Sequence, residues 1–421
     1  MTLTVRDSRN YSANTTQTLI IQGEASGTTI YATTENGFLH AVDAQNGGGT
    51  YKNRDAIWRF EGQSLSYSAP TVADGTVYFA TDKLYALDAV RGKIVWQRDL
   101  SGDVGGSPTI VDGNVFAVDE NARVFAFNAD SGTKQWNRSI GSDSWASSPH
   151  VVDGTLYVGV DSNVTAVDTA TGAIQWNYTT GDDVYSSPTV FDGTVYAASF
   201  DGNLSAIDAE NGTEQWRVKL HGPAGFSNST YGTSPTVHED AVYIGSDSNR
   251  LFAIDRADGS KIWNVSTADS IESSPTVADG TVYVGTGNGS VIAVDAASGS
   301  ISWTQSIGNE IGRSSPTVHS NRVYIETDNG SEGELVALDA DSGDVEWRFT
   351  THSANWFNSP TVVSSPSAGE SDGTRVDLGT LGHDGTWPNT VQGGGGTLAA
   401  TAASATGVTL HQRHRHSRSF P

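Results

Sequence analysis

The chain contains no cysteine among its 421 residues, which excludes disulfides, thiolate metal sites and a thiol nucleophile. Its one methionine is the first residue. No run of about 18 apolar residues occurs, so no segment reads as a membrane-spanning helix. The opening Met-Thr-Leu-Thr-Val-Arg-Asp lacks the charged-then-apolar plan of an export signal. Positive charge is scarce: 24 Lys and Arg face 48 Asp and Glu, a formal charge of −24. Such a surface repels phosphate backbones and anionic lipids, so neither nucleic acid nor direct membrane insertion is expected. Also missing are a Ser-His-Asp grouping, a phosphate loop, a zinc motif and a closely spaced Asp-x-Asp-x-Asp-Gly calcium loop.

What is present is a chain rich in Asp, Thr, Ser and Gly, with Asp well ahead of Glu and Lys rare. This balance resembles proteins of salt-loving archaea, whose self-repulsion is relieved by screening ions. Asn-x-Ser/Thr triplets recur at Asn14, Asn137, Asn163, Asn177, Asn203, Asn211, Asn228, Asn264, Asn288 and Asn329 among others. A cell-surface glycoprotein needs such triplets, although an Asn-, Ser- and Thr-rich chain also makes them by accident.

Internal repetition decides the fold. Residues 86–96 read Ala-Leu-Asp-Ala-Val-Arg-Gly-Lys-Ile-Val-Trp, and the frame Ala-x-Asp-x-x-x-Gly-x-x-x-Trp returns with small changes at Trp58, Trp136, Trp176, Trp216, Trp263, Trp303 and Trp347, besides Trp96. Asp88, Asp168, Asp208, Asp255, Asp295 and Asp339 keep the acid, Asn128 replaces it once, and only the first copy is stretched, by Gly48 to Arg54 after Asp43. A second frame, a small residue then Pro, follows each Trp at Pro70, Pro108, Pro149, Pro188, Pro235, Pro275, Pro316 and Pro360. A short apolar run comes next, then a turn such as Asp74-Gly75, Asp153-Gly154 or Asp279-Gly280, then an alternating β-branched and aromatic stretch. These are strand and hairpin signals, and each unit of about 40 residues holds four short strands, the size of a propeller blade.

Each repeated residue type has a physical task. The Gly four residues after the acid permits a positive φ in the turn between third and fourth strands. The acid accepts hydrogen bonds from that turn's backbone. A Trp buries about 150–250 Å², worth on the order of 4–6 kcal/mol as an upper estimate, enough for eight such plates to join neighbouring blades. The eleven-residue frame resembles the tryptophan-docking motif of the pyrroloquinoline-quinone (PQQ)-like repeat family of eight-bladed β-propellers, over about residues 28–363. That family includes quinoprotein dehydrogenases, the lipoprotein of the bacterial outer-membrane assembly machine and non-enzymatic surface proteins. The resemblance implies an all-β, eight-bladed propeller with four antiparallel strands per blade.

Seven units are contiguous and the eighth is divided between the ends. Residues 28–61 supply three outer strands, and Ser359-Pro360-Thr361-Val362-Val363 supplies the missing innermost one, so the C-terminal strand is expected to complete blade 1; the rival donor is Thr18-Leu-Ile-Ile21. The expected organisation is an N-terminal extension (1–27), one propeller (28–363) and a C-terminal extension (364–421), with 391–421 a disordered or misread end whose His411, His414 and His416 form a basic tract.

The enzymes of the family hold PQQ with a calcium ion in the central funnel, bound by Glu, Asn and Asp, with a catalytic Asp and, in alcohol dehydrogenases, often a disulfide of adjacent cysteines. This shorter, cysteine-free chain leaves catalytic residues, metal ligands and cofactor unassigned, and PQQ-dependent sugar or alcohol oxidation is the alternative to a binding role; a sensor domain of a larger receptor or kinase is a third. The informative variable position lies three residues before each Pro, in the loop entering the innermost strand: Tyr67, Gly105, Ala146, Tyr185, Gly232, Glu272, Arg313 and Phe357, with Trp145, Tyr231 and Trp356 adjacent. Aromatics, an acid and an Arg on rigid loops at the funnel mouth suit a protein, peptide or carbohydrate; the same aromatics would also serve to plug the channel. Turn residues Glu35, Asp82, Glu120, Asp161, Asp201, Asp247 and Asp328 are expected on the same face, as ordinary hairpin residues. The resulting expectation is a monomeric, non-catalytic, extracellular or cell-surface scaffold of a halophile. Its melting temperature should then rise steeply between dilute buffer and molar KCl, and a melting curve indifferent to salt in differential scanning fluorimetry would refute the halophile reading.

Overall fold

The computed structural model describes residues 27–364, apart from 46, 48, 51–55, 63–65, 67, 143–146, 221–232, 329–331 and 352–358, together with the strand Thr390–Val391. The described residues form eight sheets, each built on four antiparallel strands, and no helix. Blade 2 typifies them: Thr71–Ala73 innermost, then Thr76–Ala80, Lys83–Asp88 and the outermost Ile94–Asp99. Period-two burial explains the order, since second and third strands are buried on both faces between neighbouring blades while the outermost alternates toward solvent. The hairpin joining first and second strands is set by Asp74 (φ 46°) and Gly75 (φ 71°), the two positive angles that an Asp-Gly turn supplies.

Blade 1 is completed as expected. Its strand Thr28–Thr33 pairs on one side with Phe38–Asp43 and on the other with Thr361–Ser364, Tyr31 lying opposite Thr361. The alternative donor, Thr18–Ile21, lies outside the described residues. Two further strands gather at this seam. The stretch in the first repeat sends Gly49–Thr50 across to blade 8, where it pairs in parallel with the outermost strand Val345–Thr350. The C-terminal extension lays Thr390–Val391 parallel to Thr361–Ser364, on the inner side of blade 1.

Hydrogen bonds run from blade to blade along two concentric rings. In the outer ring every frame Trp donates its indole N–H to a backbone carbonyl of the next blade, from Trp58 to Ala89 (2.9 Å) around to Trp347 and Ala44 (3.2 Å). The accepting residue always follows the acid of the repeat, or Asn128 in its place, and that residue holds its turn as expected: Asp88 Oδ1 accepts from the Arg91 amide at 2.7 Å. The sequence reading missed a second donor. Tyr31, Tyr78, Tyr157, Tyr243 and Tyr283 each tilt against their own blade's Trp, with centroids 5.7–5.9 Å apart, and give the hydroxyl to the same carbonyl as that indole. The repeated Gly has a second cause too. A Cβ on Gly92 would stand 2.5 Å from the Trp58 ring, so glycine both turns the chain and lets the neighbour's indole lie flat on it.

In the inner ring, the Thr after each Pro donates its hydroxyl to the Pro carbonyl of the next blade, as Thr71 does to Pro108 and Thr361 to Pro70. The Ser of the same frame accepts an amide from the preceding blade, Ser107 from Ala69 at 3.1 Å and Ser359 from Ser315 at 2.8 Å. One blade breaks the pattern. His150 stands where the others carry Thr; it is fully buried, its Nδ1 has no partner, and its ring bonds the Pro188 carbonyl. Burial lowers its pKa to about 4, against which the Pro188 contact is a smaller effect. Because this value lies below the ordinary 6.5, the unfolded chain takes up the proton first as pH falls. Stability is therefore lost from about pH 6.5 downward, and the loss is complete below about pH 4. His150→Thr restores the hydroxyl of the repeat, and its advantage over the parent should grow by about 3 kcal/mol between pH 7.5 and pH 4. Urea melts across that range check it, and parallel pH profiles for the two proteins would count against the assignment.

Candidate functional site

The loops entering the innermost strands and the turns between second and third strands meet on one face. Three of these loops are tied there by backbone hydrogen bonds: Val104 N to Thr81 O (3.1 Å), Val184 N to Asp161 O (2.8 Å) and Ile271 N to Ser246 O (2.9 Å). The donors' side chains are buried anchors, with Val184 and Ile271 fully enclosed. Space for them comes from glycine: a Cβ on Gly159 would meet Val184 at 2.6 Å, and one on Gly245 would meet Ile271 at 2.3 Å. The residue after the anchor is thereby thrust toward the mouth, and this is the variable position three residues before Pro.

Three of the mouth residues named from sequence fall among the described residues: Tyr185, Glu272 and Arg313, all half-buried. Tyr67, Trp145, Tyr231, Trp356 and Phe357 lie outside them. Tyr185 is fixed edge-to-face on Phe200 at 4.6 Å, its hydroxyl 3.4 Å from Asp183. Glu272 and Arg313 come from successive blades. Burial pushes the Glu272 carboxyl above the usual carboxylate range, while the Arg313 guanidinium and the Ser270 hydroxyl, 3.4 Å away, draw it partly back. The Arg313 charge thus acts on the acid across the blade boundary. Tyr185 stands on a loop of another blade, so the described part of the mouth offers an aromatic and a charged couple at separate stations.

Of the turn acids named from sequence, Asp82 and Asp201 accept from residues of their own hairpins, whereas Asp161 accepts from the incoming loop. Asp201 accepts from Ser199 and from the Asn203 side-chain and backbone amides, which together hold its carboxyl below the ordinary range despite partial burial. Asp161 accepts from the Ser142 amide at 3.0 Å. No group of three or more His, Cys, Asp or Glu side chains converges to hold a metal among the described residues.

Beneath the mouth lies a residue the sequence reading passed over. Glu326 sits in the second strand of blade 8, Arg322–Asp328, at the position of Gly159 and Gly285: all three amides donate to a Ser hydroxyl twelve residues earlier. Glu326 is fully buried, and neither carboxyl oxygen has a hydrogen-bond partner, the Thr33 amide of blade 1 only approaching it. Burial pushes its pKa well above the carboxylate range. Aligning the repeats would have revealed it as an acid where the other blades have Gly159, Gly245, Gly285, Ala80, Ala198, Val118 or Thr33. In the unfolded chain this carboxyl ionises at its ordinary value while the folded state keeps its proton, so stability is lost as pH rises above about 4.5 toward the folded-state pKa. Glu326→Gln should match the parent near pH 4 and exceed it increasingly toward pH 8 in denaturant melts; equal stability at both ends would show that the carboxyl is solvated.

The sequence matches, over residues 50–147, 139–274 and 253–386, a PQQ-repeat family model described as outer membrane protein assembly factor BamB. None of the curated proteins matches it. Among solved structures, BamB from Moraxella catarrhalis is similar with a TM-score of 0.58 and 23% identity, over 70% of this chain and 88% of that one. The computationally designed Ika8 protein gives 0.57 at 15% identity over 70% and 90%. Sqt1 of Saccharomyces cerevisiae gives 0.59 at 12% over 69% and 86%. At these identities the likeness to solved structures concerns the fold alone.

Proposed function

Since this chain belongs to the PQQ-repeat propeller family represented by the assembly factor BamB, we propose that it is a non-catalytic scaffold whose mouth face binds a protein or peptide partner at the cell surface. The observation that carries this reading is the mouth itself. Tyr185 and Glu272 are presented half-buried on loops clamped by buried anchors, with Arg313 half-buried on the next blade, so an aromatic plate and two opposite charges are held out at little cost in ordering on binding. The family's name supports assembly work, and the net charge of −24 favours a cationic partner over a phosphate- or lipid-bearing one.

A photo-crosslinking amino acid placed at Tyr185 in cells that make the protein should yield one discrete adduct. Glu272→Gln and Arg313→Ala, each with an unchanged melting temperature, should reduce its yield at least tenfold. Adducts that persist in both variants would remove the mouth from the binding surface. Purified protein incubated with PQQ and calcium should give no dye reduction over a panel of alcohols and sugars, and turnover would replace the scaffold reading with that of a dehydrogenase.

A further inference from the structure

Asn-x-Ser/Thr triplets occur throughout the chain, and five of those in described strands fall into two kinds of position. Asn163 and Asn203 open third strands, and the hydroxyl residues two places on, Thr165 and Ser205, are buried between blades at 0% and 1% exposure. Asn137, Asn177 and Asn264 occupy a different and recurrent position, immediately after the frame tryptophans Trp136, Trp176 and Trp263, in the outermost strands Lys134–Ser139, Ile174–Thr179 and Lys261–Ser266. All three asparagines are exposed, and so are their hydroxyl partners Ser139, Thr179 and Ser266. Residues two apart on a strand share a face, so amide and hydroxyl are presented together at the rim of the ring.

We propose that Asn137, Asn177 and Asn264 are attachment sites for N-linked glycans. In the step required, the side-chain Nδ2 attacks the anomeric carbon of a lipid-phosphate-linked sugar. The N–C bond forms, the C–O bond to the phosphate breaks, the lipid phosphate leaves with the bonding pair, and the amide proton passes to a base of the transferase. The donor is a polyprenyl-phosphate-linked glycan. The inference rests on the surface location proposed above, because such donors are used on the outer side of a membrane.

The position also gives the modification a physical role. Each of these strands ends its sheet and leaves one backbone edge without a strand partner. Two of them carry bulky exposed apolar side chains, Ile174 and Ile262, at 41% and 48% exposure. An open edge with apolar side chains is a template for pairing with a second chain, and a glycan beside it blocks that approach.

Protein purified from the cells that make it is digested and its glycopeptides are mapped by mass spectrometry. Sugar is expected on Asn137, Asn177 and Asn264 and not on Asn163 or Asn203. Each single change, N137Q, N177Q or N264Q, should remove one glycan mass, a readout that does not depend on folding, and the triple variant should elute as larger species in size-exclusion chromatography. Unmodified rim asparagines, or equal occupancy at Asn163 and Asn203, overturn the inference. Protease shaving of intact cells identifies which idea has failed: a shaved but sugar-free chain removes the glycans alone, whereas a protected, sugar-free chain removes the surface location with them.

Discussion

One carbonyl in each blade, on the residue after the acid of the repeat or the Asn that once replaces it, receives the indole N–H of the blade before it, and the rest of the architecture is arranged around that bond. The acid holds the turn so that the carbonyl points backward, as Asp88 does for Ala89. The glycine that follows clears a flat seat for the ring. The tyrosine of the preceding blade supports the indole from its own sheet and shares the acceptor. A short motif that looks like a turn with a distant tryptophan is thus an interface divided in two, each half meaningful only in the company of its neighbour.

The inner ring repeats the principle with smaller groups. Thr-to-Pro and amide-to-Ser bonds satisfy polar atoms that would otherwise be stranded in the tightest part of the molecule. Against so regular a background the departures stand out. His150 replaces a hydroxyl by an imidazole that burial keeps neutral, and Glu326 places a carboxyl where glycine makes room elsewhere. Both are titratable groups set between blades, and their ionisation sets the two sides of a pH window for stability.

Much of the fold was legible in the sequence because the repeat fixes it eight times over. The Trp, Gly and acid spacings gave the blades, and the Ser-Pro frame located the strand that completes blade 1. The tyrosines sharing the indole's acceptor, the seat for the ring on Gly92 and the crossing of Gly49–Thr50 to blade 8 were not legible, since each depends on which residue faces which neighbour. The candidate site was readable only as positions. Counting back from Pro found Tyr185, Glu272 and Arg313, but not the anchors Val184 and Ile271 that hold two of them out, because an isolated apolar residue in a polar loop carries no signal until its burial is seen. Glu326 was in plain view among uncharged and mostly small residues, and only a comparison of strand with strand brings it out.

The seam where the chain's two ends meet is stitched in opposite directions. Thr361–Ser364 passes forward out of blade 8 into blade 1, and Gly49–Thr50 reaches back out of blade 1 onto the rim of blade 8. One stitch lies near the axis and the other at the periphery. Opening the ring at this seam therefore means breaking two lines of bonds at different radii, as in a double-lapped joint.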